Sequence, residues 1–346
     1  MRAVLTTAFG VPPEVTDVPD PTPAPDGVVV AVEATGVCRS DWHAWQGHDP
    51  DVELPAVGGH ELAGTVVAVG DQVTRWAPGA RVTVPFVCAC GSCEVCRAGD
   101  GQVCPHQSQP GFTGWGSFAE LVALDHADTN LVGLPEGLSA DAAAGLGCRV
   151  ATAHRALVGR ARVRPGEWVS VHGCGGVGLA AVAIATALGA RVVAVDPSAA
   201  ARAAATESGA VAVLDPGGVD DLPAAVAELT GGGAQVAIDA LGSAVSCADS
   251  VLSLRRRGRQ VQVGLLPAAT GHPQVPMERV VAYELDLLGS HGMAAADYPA
   301  LLELVTSGRL PAGALVRHRI SLEEVPGALV AIGEGRLGPG ITVAVP

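Results

Sequence analysis

At 346 residues the chain is long enough for two domains, and 49% hydrophobic residues supply two buried cores. A formal charge of −14 argues against a nucleic-acid partner. All 21 basic residues are Arg, so chemistry that needs a Lys nucleophile, a Schiff base or a P-loop Lys is also excluded.

The first ten residues carry one Arg and lead to Pro12 and Pro13 before any sustained apolar run. No secretory signal is read there, and the cytoplasm is the expected location. Segments 28–34, 64–70 and 79–84 are short, rich in Val and cut by Gly and Pro, which predicts an antiparallel, barrel-like first domain. Two motifs lie within it: GVCRSDWH at 36–43, holding Cys38, and GGHELAG at 58–64, holding His60. Taken singly, such a Cys is ordinarily core filler and such a His a turn residue.

Nine Cys in a reducing compartment point to metal or catalysis before disulfides. Cys90, Cys93, Cys96 and Cys104 follow one another in a short Gly-containing lobe, the pattern of four thiolates closing a tetrahedron around zinc. Four protein ligands leave no open position, so this site is read as structural, with Cys88 as a spare. Cys148 follows in GCRVATAH at 147–154. Two thiolates and one imidazole, Cys38, His60 and Cys148, are a catalytic zinc set that leaves the fourth position for water or substrate.

Beyond residue 150 the rhythm changes to β–α alternation, with strands expected at 168–171, 191–195, 236–238, 260–263 and 285–288 and helices at 177–188 and 222–229. The stretch 176–195 is nearly all apolar, but Gly189 divides it, so a buried helix and a buried parallel strand are expected instead of a membrane span. Gly173, Gly175 and Gly178, with Gly176 and Val177 between them, form G-x-G-x-x-G between the first strand and its helix. That arrangement lets backbone approach a pyrophosphate at a helix N-terminus. Asp196 closes the next strand, where a carboxylate accepts ribose hydroxyls and repels a 2′-phosphate, which favours NAD over NADP. Arg202 is the one nearby cation that would moderate this preference. A helix at 298–305 and a strand at 341–345 end the chain, and this tail is expected to rejoin the first domain.

In this order, GVCRSDWH, GGHELAG, the four-Cys lobe and GCRVATAH resemble the zinc-containing medium-chain dehydrogenase/reductase family, alcohol dehydrogenase branch, over essentially the whole chain. The resemblance implies a GroES-like catalytic domain at 1–149 carrying both zinc sites, a Rossmann doubly wound parallel sheet at 150–292 that binds NAD, and a return to the catalytic domain at 293–346. It implies two zinc ions per chain, one catalytic and one structural. Asp41 would orient His60, and Glu61 would be a carboxylate able to approach the metal. Arg39 would meet the pyrophosphate, and the backbone at Val263 and Gly264 would border the nicotinamide. Ser40 and His43 would lead the proton out of the pocket through the cofactor ribose. Turn capping and a solvated ring are the competing reading of these two residues.

The tail departs from the family at Gly338, Pro339 and Gly340, where relatives often carry a basic residue for the pyrophosphate. The interval from Cys104 to Cys148 is short, as in the tetrameric branch, so a homotetramer is expected. Cys174 is read as a small residue of the Gly-rich turn and Cys247 as packed in a helix. Trp42, Trp45, Phe86 and Trp115 lie near the motifs as candidate walls of an apolar pocket, or as ordinary packing. The expected activity is reversible oxidation of primary or secondary alcohols with NAD. A polyol or sugar dehydrogenase of the same family is the alternative, and a non-catalytic zinc-stabilised nucleotide-binding protein is the reading from another class.

Overall fold

Valine-rich segments supply the strands, since β-branched side chains pack well on a pleated surface and are stiff enough to lose little on ordering. The computed structural model describes residues 1–266 and 272–346. They fall into two compact units, Met1–Ala151 with Gly292–Leu337 and Ile341–Pro346, and Thr152–His291 with Gly338–Gly340.

In the first unit the long strand Val28–Val37 is the organiser. It pairs antiparallel with Glu61–Val69, with Ile341–Val345 and, over its first half, with Leu121–Leu124. Arg81–Thr83 and Val132–Gly133 extend the sheet on one side and Val316–Ser321 on the other, giving a seven-stranded sheet among the described residues. One pair departs from the antiparallel order expected for this domain: Val316–Ser321 runs parallel to Ile341–Val345. The helix Val325–Gly333 lies between them in sequence and provides the crossover that a parallel pair requires. Two of its apolar clusters fill much of the unit. Val28, Val30, Leu62, Val66 and Val82 form one, and Val37, Trp45, Phe118 and Leu329 the other.

The second unit is a parallel sheet in which Trp168–His172 lies between Arg191–Val195 and Ala234–Asp239; Ala212–Leu214 edges one side, and Leu254–Gln262 then Asp286–Gly289 the other. Numbered along the unit, the order is 3-2-1-4-5-6, that of a doubly wound dinucleotide-binding sheet. Ligands of such sheets bind beyond the carboxyl ends of strands 1 and 4, here His172 and Asp239. The apolar stretch 176–195 resolves as expected. Gly176–Ala187 is a helix buried from Gly178 to Ala185, Gly189 turns the chain at φ +79°, and Arg191–Val195 is a buried strand. Among the described residues no helix is long and apolar enough to cross a membrane.

Candidate metal and cofactor sites

Three separate elements bring Cys38, His60 and Cys148 together. Cys38 directly follows the long strand and caps the helix Arg39–Trp45 in extended conformation, with φ −120° and ψ 160°. His60 follows Gly59, whose φ of +95° and tight contact with the Phe118 backbone exclude a side chain there. Cys148 sits in a π-helical turn, Leu146–Val150, a widening often found at functional sites. The buried Tyr298 hydroxyl donates to the Leu146 carbonyl at 3.0 Å and ties that turn down. Ligand atoms of Cys38, His60, Glu61 and Cys148 all lie within 4.8 Å of one another.

One buried carboxylate orders two of these segments. Asp41 accepts the Cys38 N–H at 2.8 Å on one oxygen, and on the other the Gly59 N–H at 3.2 Å and the His60 Nδ1–H at 2.8 Å. Asp41 thus engages Nδ1, and the ring's other nitrogen, Nε2, is buried without a hydrogen-bond partner among the described residues. Burial works against a charge on His60, but Asp41 and the Cys38 sulfur outweigh it and hold the ring well above its usual pKa. Cys38 is held well below the usual thiol range, first by a hydrogen bond from Cys148 and then, against burial, by His60 and Arg149. Cys148 is pushed well above it by that same bond and by burial. A buried imidazole nitrogen without a partner among the described residues, grouped within 4.8 Å with a stabilised thiolate and a second sulfur, is a donor set that fits zinc.

Beneath the sulfurs lies a buried ion pair. Arg149 donates to Glu61 from its backbone N–H at 3.1 Å, from Nε at 2.9 and 3.0 Å to the two oxygens, and from Nη2. Glu61 is fully buried, and Gly36, paired with it across the strands, leaves the room: a Cβ there would strike the carboxylate and the guanidinium. Burial pushes the Glu61 carboxyl up, while Arg149 opposes that rise.

The second cluster is compact. Sγ separations are 3.4 Å for Cys93–Cys96, 3.5 Å for Cys104–Cys90, 3.8 Å for Cys93–Cys104 and 3.9 Å for Cys90–Cys96. These distances are far beyond the ~2.05 Å of a disulfide and close to the edges of a ligand tetrahedron. The Cys96 N–H points at the Cys93 sulfur and the His106 N–H at that of Cys104. Cys90 is lowered to about 5, first by the Ser92 N–H. Cys88 is buried outside the cluster, its thiol raised to about 12 by burial.

In the second unit Gly173 takes φ +90°, and a Cβ on Gly178 would collide with its carbonyl. Gly175 caps the helix Gly176–Ala187, and a Cβ there would meet nothing within 4 Å, so backbone is approachable where a pyrophosphate would lie. Asp196 accepts the Cys174 N–H at 2.7 Å and the Ser198 N–H at 2.8 Å. Arg202 is engaged by Asp215 at 3.0 Å and by the carbonyls of Asp196 and Pro197. The N–H groups of Val263 and Gly264 both donate to the Asp239 carbonyl at the carboxyl end of strand 4.

Comparison with known proteins decides what these sites belong to. Residues 24–136 match the alcohol dehydrogenase GroES-like domain and residues 176–307 the zinc-binding dehydrogenase domain. The chain is 33% identical over 340 residues to a sorbitol dehydrogenase of Halalkalibacterium halodurans, covering 97% of each chain. The chain belongs to the zinc-dependent alcohol dehydrogenases of the medium-chain dehydrogenase/reductase family. To the alcohol dehydrogenase of Rhizobium meliloti it is 36% identical over 315 residues, 90% of each chain. A crystal structure of an NAD-dependent alcohol dehydrogenase superposes with a TM-score of 0.90 at 32% identity, covering all of both chains. The protein is thus an oxidoreductase of the GroES-like plus Rossmann architecture, and its family uses zinc and NAD.

In this dehydrogenase the aromatic residues divide. Phe86 faces the His60 ring at 6.1 Å, and Trp115 lines a cavity of about 680 Å³ with Pro55 and Phe112. Trp45 is core, packed with Phe118 and Leu329 because the helix face that carries it turns inward, and with them it also borders a small cavity. Trp42 packs on Gly333. Ser40 lies with its hydroxyl 3.9 Å from the Cys38 sulfur, His43 is half-buried, and Arg39 is exposed over the Trp42 ring. Cys174 and Cys247 are both buried. The sequence reading missed Arg149 and Phe112, the latter with its ring 5.3 Å from that of His60. A charged residue beside Cys148 in an apolar run was the available signal for Arg149.

Proposed function

We propose that the chain reversibly oxidises primary or secondary alcohols to aldehydes or ketones with NAD, using Cys38, His60 and Cys148 as ligands of a catalytic zinc and the four-Cys lobe for a second, structural zinc. The buried Nε2 of His60, without a hydrogen-bond partner among the described residues, in a group whose ligand atoms with those of Cys38 and Cys148 lie within 4.8 Å, is the observation that carries this reading. Zinc, when bound, supplies Lewis acidity that lowers the pKa of an oxygen ligand, and NAD supplies the hydride acceptor. The chain's own residues do the rest. Asp41 orients the His60 ring through Nδ1, and Arg149 holds both oxygens of Glu61, so that carboxylate would reach a bound metal only transiently.

Ser40 and His43 take the proton away from the reacting hydroxyl. Burial first, then His48 and Arg39, keep the His43 pKa below its usual value, so the ring is neutral and able to accept at neutral pH. The loop at Gly173, Gly175, Gly176, Val177 and Gly178, with Asp196, holds the dinucleotide, with Arg39 reaching the pyrophosphate and the Val263–Gly264 backbone bordering the nicotinamide. Asp196 with Arg202 engaged by Asp215 supports NAD over NADP. A cytoplasmic homotetramer completes the reading, supported by the short interval from Cys104 to Cys148 and checked by light scattering of the purified protein.

The likeness to a sorbitol dehydrogenase across 97% of the chain favours polyols as the second substrate class. One panel separates the readings: purified protein with NAD or NADP against primary, secondary, aromatic and polyhydric alcohols, with zinc per chain measured alongside. NADH from monoalcohols is the expected result. Turnover of polyols alone selects the second class, and binding of NADH without turnover of any alcohol overturns the catalytic reading.

A further inference from the structure

His48, five residues beyond His43, has no part in the mechanism above. Its backbone N–H donates to the His43 carbonyl at 3.0 Å, and the two rings meet Nδ1 to Nδ1 at 3.0 Å. Both rings stand edge-on to Trp42, with centroids 4.7 Å and 5.5 Å away, and Trp42 is itself held against Gly333, where a Cβ would collide with its indole. The pair is therefore placed by backbone and packing. It also spans a gradient of exposure, since His43 is half-buried and His48 lies at the surface.

We propose that His48 is a second link in proton release, carrying to solvent the proton that His43 accepts. This rests on the reading of His43 as a proton acceptor given above. Two imidazoles joined through like nitrogens need complementary tautomers, one donating and one accepting. A proton arriving at His43 Nε2 forms one N–H bond. The His43 Nδ1–H bond breaks as a bond to His48 Nδ1 forms, and the His48 Nε2–H bond breaks as water takes the proton. One proton enters and one leaves; the same steps reversed deliver a proton for carbonyl reduction.

The surroundings favour passage over retention. Burial, His48 and Arg39 disfavour charge on His43, and only the Cys38 sulfur favours it. The helix Val325–Gly333, packed against Arg39–Trp45, carries no titratable side chain, and the acid beside His48, Asp49, accepts the Asp51 N–H.

The test compares His48→Gln, His43→Gln and the double variant in the zinc-loaded enzyme with NAD and a primary alcohol, reading kcat and KM across the neutral range with and without added imidazole. His48→Gln is expected to lower kcat roughly tenfold on the acid side with KM unchanged, to recover with imidazole, and to add nothing to His43→Gln. In NMR titration, the His43 ring of His48→Gln is expected to protonate at higher pH than in the parent, because a neighbouring charge that opposes it is gone. A His48→Gln profile equal to the parent's, or losses that multiply in the double variant, overturns the role of His48 while leaving His43 in place. A His43→Gln profile equal to the parent's removes the relay itself and this inference with it.

Discussion

The two cysteine sites reach similar donor chemistry by opposite routes. The four-Cys lobe gathers its sulfurs within fifteen residues, Cys90 to Cys104; three of the four are half-buried, and its short contacts come from its own turns. The site of Cys38, His60 and Cys148 draws on three distant segments, is largely buried, and depends on a buried carboxylate and a buried ion pair that are not themselves its sulfur or imidazole donors. A site built from one loop can be made and lost locally. A site built from three segments is as stable as the packing that joins them, which keeps its donors from drifting.

If that contrast is right, the largest effect of a single substitution on folding stability falls under the dispersed site. Arg149→Ala leaves Glu61 buried without its partner and is expected to cost about 3–5 kcal/mol in chemical denaturation, most of it recovered when Glu61→Gln is added. Equal losses in the single and double variants would show that the pair does not brace the site. Next comes the shared carboxylate. Asp41→Asn keeps the shape but weakens the orientation of His60, and zinc affinity at this site is expected to fall about 10–100-fold while the lobe keeps its metal, as read by competition with a chelator. The smallest effect belongs to the lobe's rim: Ser92→Ala removes a hydroxyl 3.7 Å from the Cys90 sulfur at an exposed position and is expected to change stability by less than about 1 kcal/mol. A larger loss would mean the lobe is as tightly coupled to its surroundings as the buried site is.

The same contrast explains what could be read from the amino acids. The lobe was legible because its ligands are neighbours in sequence, and the Gly-rich turn because strand, turn and helix follow one another, with a φ of +90° at Gly173 that the glycine announces. Cys38, His60 and Cys148 were legible only through the flanking strings they share with a family, since nothing local says that residues more than a hundred apart converge. Arg149 was invisible as a partner of Glu61 because pairing between a helical turn and a strand 88 residues away is a tertiary fact, and only the fold shows that Trp45 is packed in the core. The parallel pairing of Val316–Ser321 with Ile341–Val345 was hidden for a related reason: period-2 patterning marks a strand but not its neighbour.

The most direct measurement is zinc per chain, with alcohol oxidation and thermal unfolding, for Cys148→Ser and Cys93→Ser side by side. Cys148→Ser is predicted to keep the lobe's zinc and its fold while losing NADH production, and Cys93→Ser to lose the lobe's zinc and unfold more readily. If Cys93→Ser abolishes turnover in a protein that stays fully stable, or Cys148→Ser turns over alcohol like the parent, the division between a structural and a catalytic metal is wrong.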